Sequence, residues 1–222
     1  MNHQSELYFE NPLLKLGIGT RIWVKSLRSI FNIVSLVAGL VMIFSDVAQV
    51  FYLCIFFLVI FLYNSLLAKL FGRGGQFSGG NLKFFMDMGV DELLERAINR
   101  STIMGGSFLL HLMRELVDTP DGTEALMRLS IEKDEFAGQV ERYIGEEKRL
   151  RETNLWRLKR AEELLIKALT TQAGNKHPIS SADLFRAMVY MDNEKIQRLF
   201  SIFGITESVM ENSYRYSMEH AR

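Results

Sequence analysis

The sequence predicts an all-α chain in two parts, a two-span transmembrane helical hairpin followed by a duplicated four-helix domain, and three observations carry that expectation. Across residues 29–68 there is a single charge, Asp46. Only three prolines occur among the 222 residues, Pro12, Pro120 and Pro178, and apolar residues recur at 3.6-residue spacing between them. A pattern of short apolar helices that begins near Leu109 returns about 74 residues later, as an internal repeat would.

Residues 1–28 read as a cytoplasmic or interfacial lead-in. Leu13, Leu14, Leu16, Ile18, Ile22, Trp23 and Leu27 lie there among spaced cations, a pattern able to rest in a membrane interface, although Gly17 and Gly19 weaken a continuous helix. Asp46 then divides the uncharged stretch into runs 29–45 and 47–68. At helical rise these reach about 26 and 33 Å, against a hydrocarbon core of about 30 Å. A pair of buried core helices is the soluble alternative, but charge-free lengths near 20 residues favour two spans. Lys15, Arg21, Lys25 and Arg28 precede the runs and Lys69, Arg73 and Lys83 follow them, while the turn between has no cation. That asymmetry predicts an integral protein of a bacterial cytoplasmic membrane with both termini in the cytoplasm and Asp46 as a solvated turn residue.

Residues 69–82 hold Gly72, Gly74, Gly75, Gly79 and Gly80 and read as a flexible linker, since so much glycine loses too much entropy on ordering. A phosphate-cradling loop is the sharper alternative and lacks its Gly-Lys-Ser/Thr ending. The formal net charge of zero supplies no basic field for nucleic acid. Cys54 is the single cysteine, which excludes an internal disulfide and a cysteine zinc site. His3, His111, His177 and His220 are not at metal-ligand spacing with one another. His111, inside an apolar helix, reads as a structural histidine with a satisfied ring. Ser180 and Ser181 ahead of Asp183 read as a helix cap and not as a nucleophile. The expectation is a chain that is not an enzyme and takes no cofactor or metal. The mixed charges across residues 141–163 read as a solvated helical face joining the copies.

The repeat occupies residues 83–150 and 151–222. Each copy has a long first helix, a polar turn, a short apolar helix, a loop, an apolar helix ending in Ser or Gly, and a last amphipathic helix. Leu109-Leu110-His111-Leu112-Met113, Asp121-Gly122 and Ala125 to Ile131 in the first copy answer to Leu184-Phe185-Arg186-Ala187-Met188, Asp192-Asn193 and Leu199 to Ile205 in the second. Gly204 is placed to adopt the left-handed conformation just past a helix end, with Ile205 folding back against that helix.

This order resembles the duplicated amino-terminal Clp-repeat domain, or Clp-N domain, of Clp-type AAA+ chaperones. The second copy carries it through Gly174-Asn175-Lys176-His177-Pro178-Ile179-Ser180-Ser181-Ala182-Asp183-Leu184-Phe185 and Phe203-Gly204-Ile205. In the first copy Met104-Gly105-Gly106-Ser107-Phe108-Leu109-Leu110 is the corresponding stretch, and Ser130 stands where the family usually has Gly. The resemblance covers about two thirds of the chain and implies a module that binds proteins and performs no catalysis. It would receive substrate proteins or adaptors for a separate Clp-type AAA+ ATPase, because the chain has no Gly-x-x-x-x-Gly-Lys-Ser/Thr of its own. Some members bind phosphoarginine through a glutamate just before the Leu-Leu pair; Ser107 and Ala182 stand at those positions, so that recognition does not carry over. A hydrophobic groove between the copies would remain for partners, supplied by Met188, Met191, Phe200, Phe203 and Met210, although for any one of these a core residue at helical spacing is the favoured reading. Candidate protein-binding positions are Ser107, Phe108, His111, Ala182, Asp183 and Arg186. Partners implied are client or adaptor proteins, the ATPase and the lipid bilayer, with no nucleic acid. A membrane-anchored helical scaffold without a link to proteolysis, and the leading part of a longer membrane-bound Clp ATPase, are the other readings.

Overall fold

The computed structural model describes residues 7–43, 80–172 and 177–220, with 52–53, 55–56, 58–59 and 61–62 between them. These residues are all-α, and their extended pairing consists of two isolated bridges. The chain forms two compact units, one of Met1–Asn11 with Gly75–Arg222 and the other of Pro12–Gly74.

In the Pro12–Gly74 unit, α1 is Pro12–Lys15 and α2 is the 26-residue helix Ile18–Ile43. Among the described residues no helix is long and apolar enough to cross a membrane. This corrects the two-span hairpin and the integral-membrane localisation drawn from the uncharged runs. The physical reason lies in where α2 starts. It does not begin with the uncharged run at Ser29 but eleven residues earlier, so Arg21 and Lys25 fall in its first turns and Asn32 and Ser35 follow along its length. Arg28 is the last charge in α2, and the uncharged part of the helix, residues 29–43, reaches about 22 Å at helical rise, short of a hydrocarbon core of about 30 Å. Asp46, the ends of run 47–68 and the glycine-rich segment up to residue 79 lie outside the described residues.

The larger unit begins with the amino-terminal segment laid along residues 80–83. The Tyr8 N–H donates to the Gly80 carbonyl at 3.2 Å, the Leu82 N–H donates to the Tyr8 carbonyl at 2.8 Å, and the Asn11 side-chain amide reaches Asp91 Oδ1 at 2.7 Å. Residues 7–11 thus belong to this unit. Eight α-helices follow in two sets of four: α3 (Met88–Met104), α4 (Phe108–Val117), α5 (Pro120–Arg128) and α6 (Lys133–Glu146), then α7 (Asn154–Thr171), α8 (Ser181–Ala187), α9 (Glu194–Ile202) and α10 (Glu207–His220).

Local chemistry sets these boundaries. Thr119 caps α5 by accepting from the Gly122 N–H, with Pro120 opening the helix where its missing donor is harmless, and Asn193 caps α9 by accepting from Lys195 and Ile196. Both helices end in the same way. Ser130 has φ 57° and Gly204 φ 65°, and the next residue's N–H turns back to a carbonyl five residues earlier, Ile131 to Leu126 at 2.9 Å and Ile205 to Phe200 at 2.8 Å. The left-handed residue satisfies helix-end carbonyls that would otherwise lack donors.

Packing follows from the apolar stripes. Helix α3 buries Val90, Leu93, Leu94, Ala97, Ile98 and Ser101, one face at three- and four-residue steps. Helix α4 is buried at every position but Arg114, so it is the central element of the first set. The two sets share one core. Phe136 of α6 lies 6.3 Å from Phe185, 6.4 Å from Phe200 and 5.0 Å from Phe203 between ring centroids, closing the seam between the sets. Met188, Met191, Phe200 and Met210 are buried there and Phe203 is half-buried. Met188, Met191, Phe200 and Met210 are therefore core side chains and not the lining of an open groove.

Candidate functional site

A concave feature of the larger unit lies on its first set of helices, where α4 runs between α3 and α6. Arg100 and Met104 are one turn apart on α3, His111 and Arg114 one turn apart on α4, and Glu141, Ile144 and Gly145 share a face of α6 with Lys148 just beyond its end. Together they line an open cavity of about 400 Å³. That volume lies in the range of ligand pockets, roughly 300–1,000 Å³.

His111 forms the floor. It is 2% exposed, and its Nε2 lies 2.7 Å from the Gly105 carbonyl, which can only accept, so Nε2 carries the proton. Burial pushes the imidazole pKa below its ordinary value, the Gly105 bond partly opposes this, and the nearby Arg100 guanidinium adds to the depression. The floor is therefore a neutral ring committed to a carbonyl. Gly105 has φ 80°, and a Cβ there would stand 2.2 Å from the Lys148 carbonyl, so the chain can cross beneath the pocket only with glycine at this position. The Gly106 N–H continues the crossing by donating to the Leu150 carbonyl at 3.0 Å.

The walls are cationic and apolar. Arg114 donates from Nε to Glu141 Oε1 at 2.9 Å and from Nη1 to Asp118 Oδ2 at 2.5 Å, and these partners, Glu141 first, hold its pKa up. Arg100 Nη1 lies 2.8 Å from Oε1 of the buried Glu115, which Arg96 also approaches at 3.3 Å. Lys148 is exposed and has no carboxylate partner among the described residues. Three cations thus face one carboxylate in the lining, with Met104 and Ile144 as the apolar contribution. Met104 is half exposed, and its chain neighbour Ile103 is 68% exposed. With the imidazole already engaged, the walls offer a ligand charge and apolar contact.

The start of α4 is held by residues that the sequence reading treated as solvated. Ser107 makes no side-chain cap bond. The Phe108 N–H donates instead to Glu152 Oε2 at 2.8 Å, and Glu147 accepts from the Ser107 backbone. Partial burial raises both carboxyl pKa values, and these N–H donors oppose the rise. Residues 141–163 are accordingly not one helical face. Helix α6 ends at Glu146, α7 starts at Asn154, and the link between turns two carboxylates inward.

The six positions singled out in the sequence are placed as follows. Ser107 and Phe108 are buried, Ser107 with its hydroxyl 3.5 Å from the Asn193 side-chain amide. Ala182 is half-buried. Asp183 is buried in a capping box, taking the Ser180 N–H at 2.9 Å and its hydroxyl at 2.7 Å, and it also accepts from the Gln172 amide at 2.9 Å. Arg186 is buried against Glu211, which also receives the Tyr190 hydroxyl at 2.9 Å, and it stacks over the Tyr214 ring. His111 alone belongs to the pocket, with the satisfied ring expected of it. Arg100, Met104, Arg114, Glu141, Ile144 and Lys148 were not anticipated. The available signal was Arg114, the one position at which an otherwise buried helix reaches solvent.

Among the described residues no group of histidine, cysteine and carboxylate side chains could hold a metal ion. No protein-family model, curated protein or solved structure matches the chain.

Proposed function

We propose that the larger unit is a protein-binding module of the Clp-repeat type, which receives substrate proteins or adaptors for a separate Clp-type AAA+ ATPase and performs no chemistry itself. The observation that carries this reading is the twofold occurrence of one four-helix order, with Ser130 and Gly204 in the same left-handed cap and Ile131 and Ile205 making the same backward bond. The resemblance rested on the residues around those caps. The pocket on the first set of helices adds to it, because it presents charge and apolar contact with its imidazole already engaged. Such a surface suits capture of a polypeptide better than turnover of a small substrate.

The test is reconstitution. The full chain, immobilised, is challenged with a Clp-type AAA+ ATPase and a chemically unfolded protein, separately and together. Retention of either above a denatured-chain control, with stimulated ATP hydrolysis when all three are present, is the expected result. If neither is retained while the chain remains folded, the recruiting function is wrong and a helical scaffold without a link to proteolysis takes its place.

A further inference from the structure

We infer that the pocket between α3, α4 and α6 is a docking site for an acidic peptide segment in which carboxylate side chains are followed directly by apolar ones. This rests on the protein-binding reading and specifies the chemistry of its ligand.

Charge comes first. Arg100, Arg114 and Lys148 line the cavity against Glu141, and the carboxylates that pair the two arginines from outside the lining, Glu115 and Asp118, are shared with Arg96 and Lys133, so the cluster stays net cationic in a chain whose total charge is zero. The cations differ in availability. Arg114 is 22% exposed along its side chain and already held by Glu141 and Asp118, both on the surface at 62% and 51%. Glu141 occupies the guanidinium fork as an incoming carboxylate would, and it is exposed enough to swing away and be replaced. Arg100 is 52% exposed and spends one nitrogen on Glu115, while Lys148 lines the same cavity from just beyond the end of α6. A carboxylate entering between them meets two arginines and an ammonium group.

Apolar contact then decides the class of ligand. Met104 and Ile144 line the same cavity, and Ile103, the chain neighbour of Met104, is also exposed. A simple anion would leave these side chains in water. A cavity of about 400 Å³ holds two or three side chains, and the flexible thioether of Met104 can adapt to their shape. Nucleic acid fits poorly, because three cations confined to one pocket cannot track a phosphate backbone. The occupant that uses both wall chemistries is an acidic–apolar stretch of a partner protein.

The experiment measures fluorescence anisotropy of a fluorescein-labelled decapeptide with an Asp-Asp-Leu-Phe core in a Gly/Ser frame, titrated with the full-length chain at low salt. Two control peptides replace the core by Asn-Asn-Leu-Phe or Asp-Asp-Ser-Ser. Saturable binding of the first peptide is expected, with each control weaker by about tenfold or more and affinity falling as salt is added. Lys148→Glu and Met104→Ser, both at exposed positions, should each weaken binding by a similar factor without changing the melting temperature. Lys159→Glu, on another helix, should leave it unchanged. The inference is overturned if no saturable binding occurs at low salt, if Lys148→Glu binds as well as the parent, or if the Asp-Asp-Ser-Ser peptide binds equally and millimolar inorganic phosphate displaces both. The last result would mean that the pocket reads charge alone. Retention of an unfolded protein or an ATPase in the reconstitution is a separate readout, so the recruiting function can stand while this ligand assignment falls.

Discussion

Exchanging Ser130 and Gly204 tests whether the two helix ends are the same structure. Both residues have positive φ, 57° at Ser130 and 65° at Gly204. An L-residue in that conformation costs roughly 1–2 kcal/mol, which glycine avoids, while glycine frees the unfolded chain by about 0.4–1 kcal/mol. The net is about 0.5–1 kcal/mol in favour of glycine at either site. Packing does not obscure the comparison, because Ser130 is exposed and a Cβ placed on Gly204 meets nothing within 4 Å. Ser130→Gly should therefore raise stability, Gly204→Ser should lower it by a similar amount, and the double exchange should return close to the parent. For a chain of this length the corresponding shift in melting temperature is about 1–4 °C. Urea unfolding followed by circular dichroism resolves the differences, with the slope unchanged because the surface exposed on unfolding stays the same. If both single variants move stability in the same direction, or Gly204→Ser is silent, backbone conformation does not govern these ends and the equivalence of the two caps is lost.

Phe136→Ala should be the most damaging truncation of the aromatic seam, because that ring touches Phe185, Phe200 and Phe203 and is fully buried. A loss of about 3–5 kcal/mol is expected, and Phe203→Ala should lose less because its ring is half-buried; urea midpoints of the two variants check the order. His111 gives a pH dependence of defined sign. Its folded-state pKa lies below the ordinary value, so the unfolded chain takes up the proton first and stability falls as pH drops below about 6.5, the loss continuing down to the folded pKa. His111→Gln keeps a donor for the Gly105 carbonyl and should flatten that part of the stability–pH curve, and a difference curve that is flat across the window would count against a neutral buried ring.

What could be read from the sequence was the chemistry that acts over a few residues. The cap at Ser180 and Asp183, the turn at Gly204 and the fourfold helix order in each half depend on hydrogen bonds spanning three to five positions, and all three are present. Long-range partners left no local trace. Glu152 reaches the Phe108 N–H from 44 residues away, and the pocket is assembled from residues scattered between Arg100 and Lys148. Asp183 and Arg186, candidate binding positions on the strength of the resemblance, are each satisfied inside the fold by Gln172 and Ser180 or by Glu211. The uncharged run beginning at Ser29 misled for a related reason. Absence of charge fixes neither where a helix starts nor which residues precede it, and α2 draws Arg21 and Lys25 into the same element.

The two halves share an order of helices but not a division of labour, and a comparison of their second helices shows why. Counted back from the matched caps at Thr119 and Asn193, His111 and Arg114 of α4 correspond to Phe185 and Met188, one position away from the sequence pairing of His111 with Arg186. Phe185 and Met188 are fully buried, and Phe185 lies 6.4 Å from Phe200 in the aromatic cluster that joins the halves. The second half thus uses at these positions apolar bulk, where the first half has a neutral imidazole and a guanidinium at the edge of solvent. Apolar bulk contributes most when it is removed from water, so those positions of the second half serve the shared core. A guanidinium cannot be buried without partners, so Arg114 keeps its edge of the first half open and lined with carboxylate acceptors. The cavity beside His111 and Arg114 and the aromatic seam beside Phe185 are thus two outcomes of the same pair of positions.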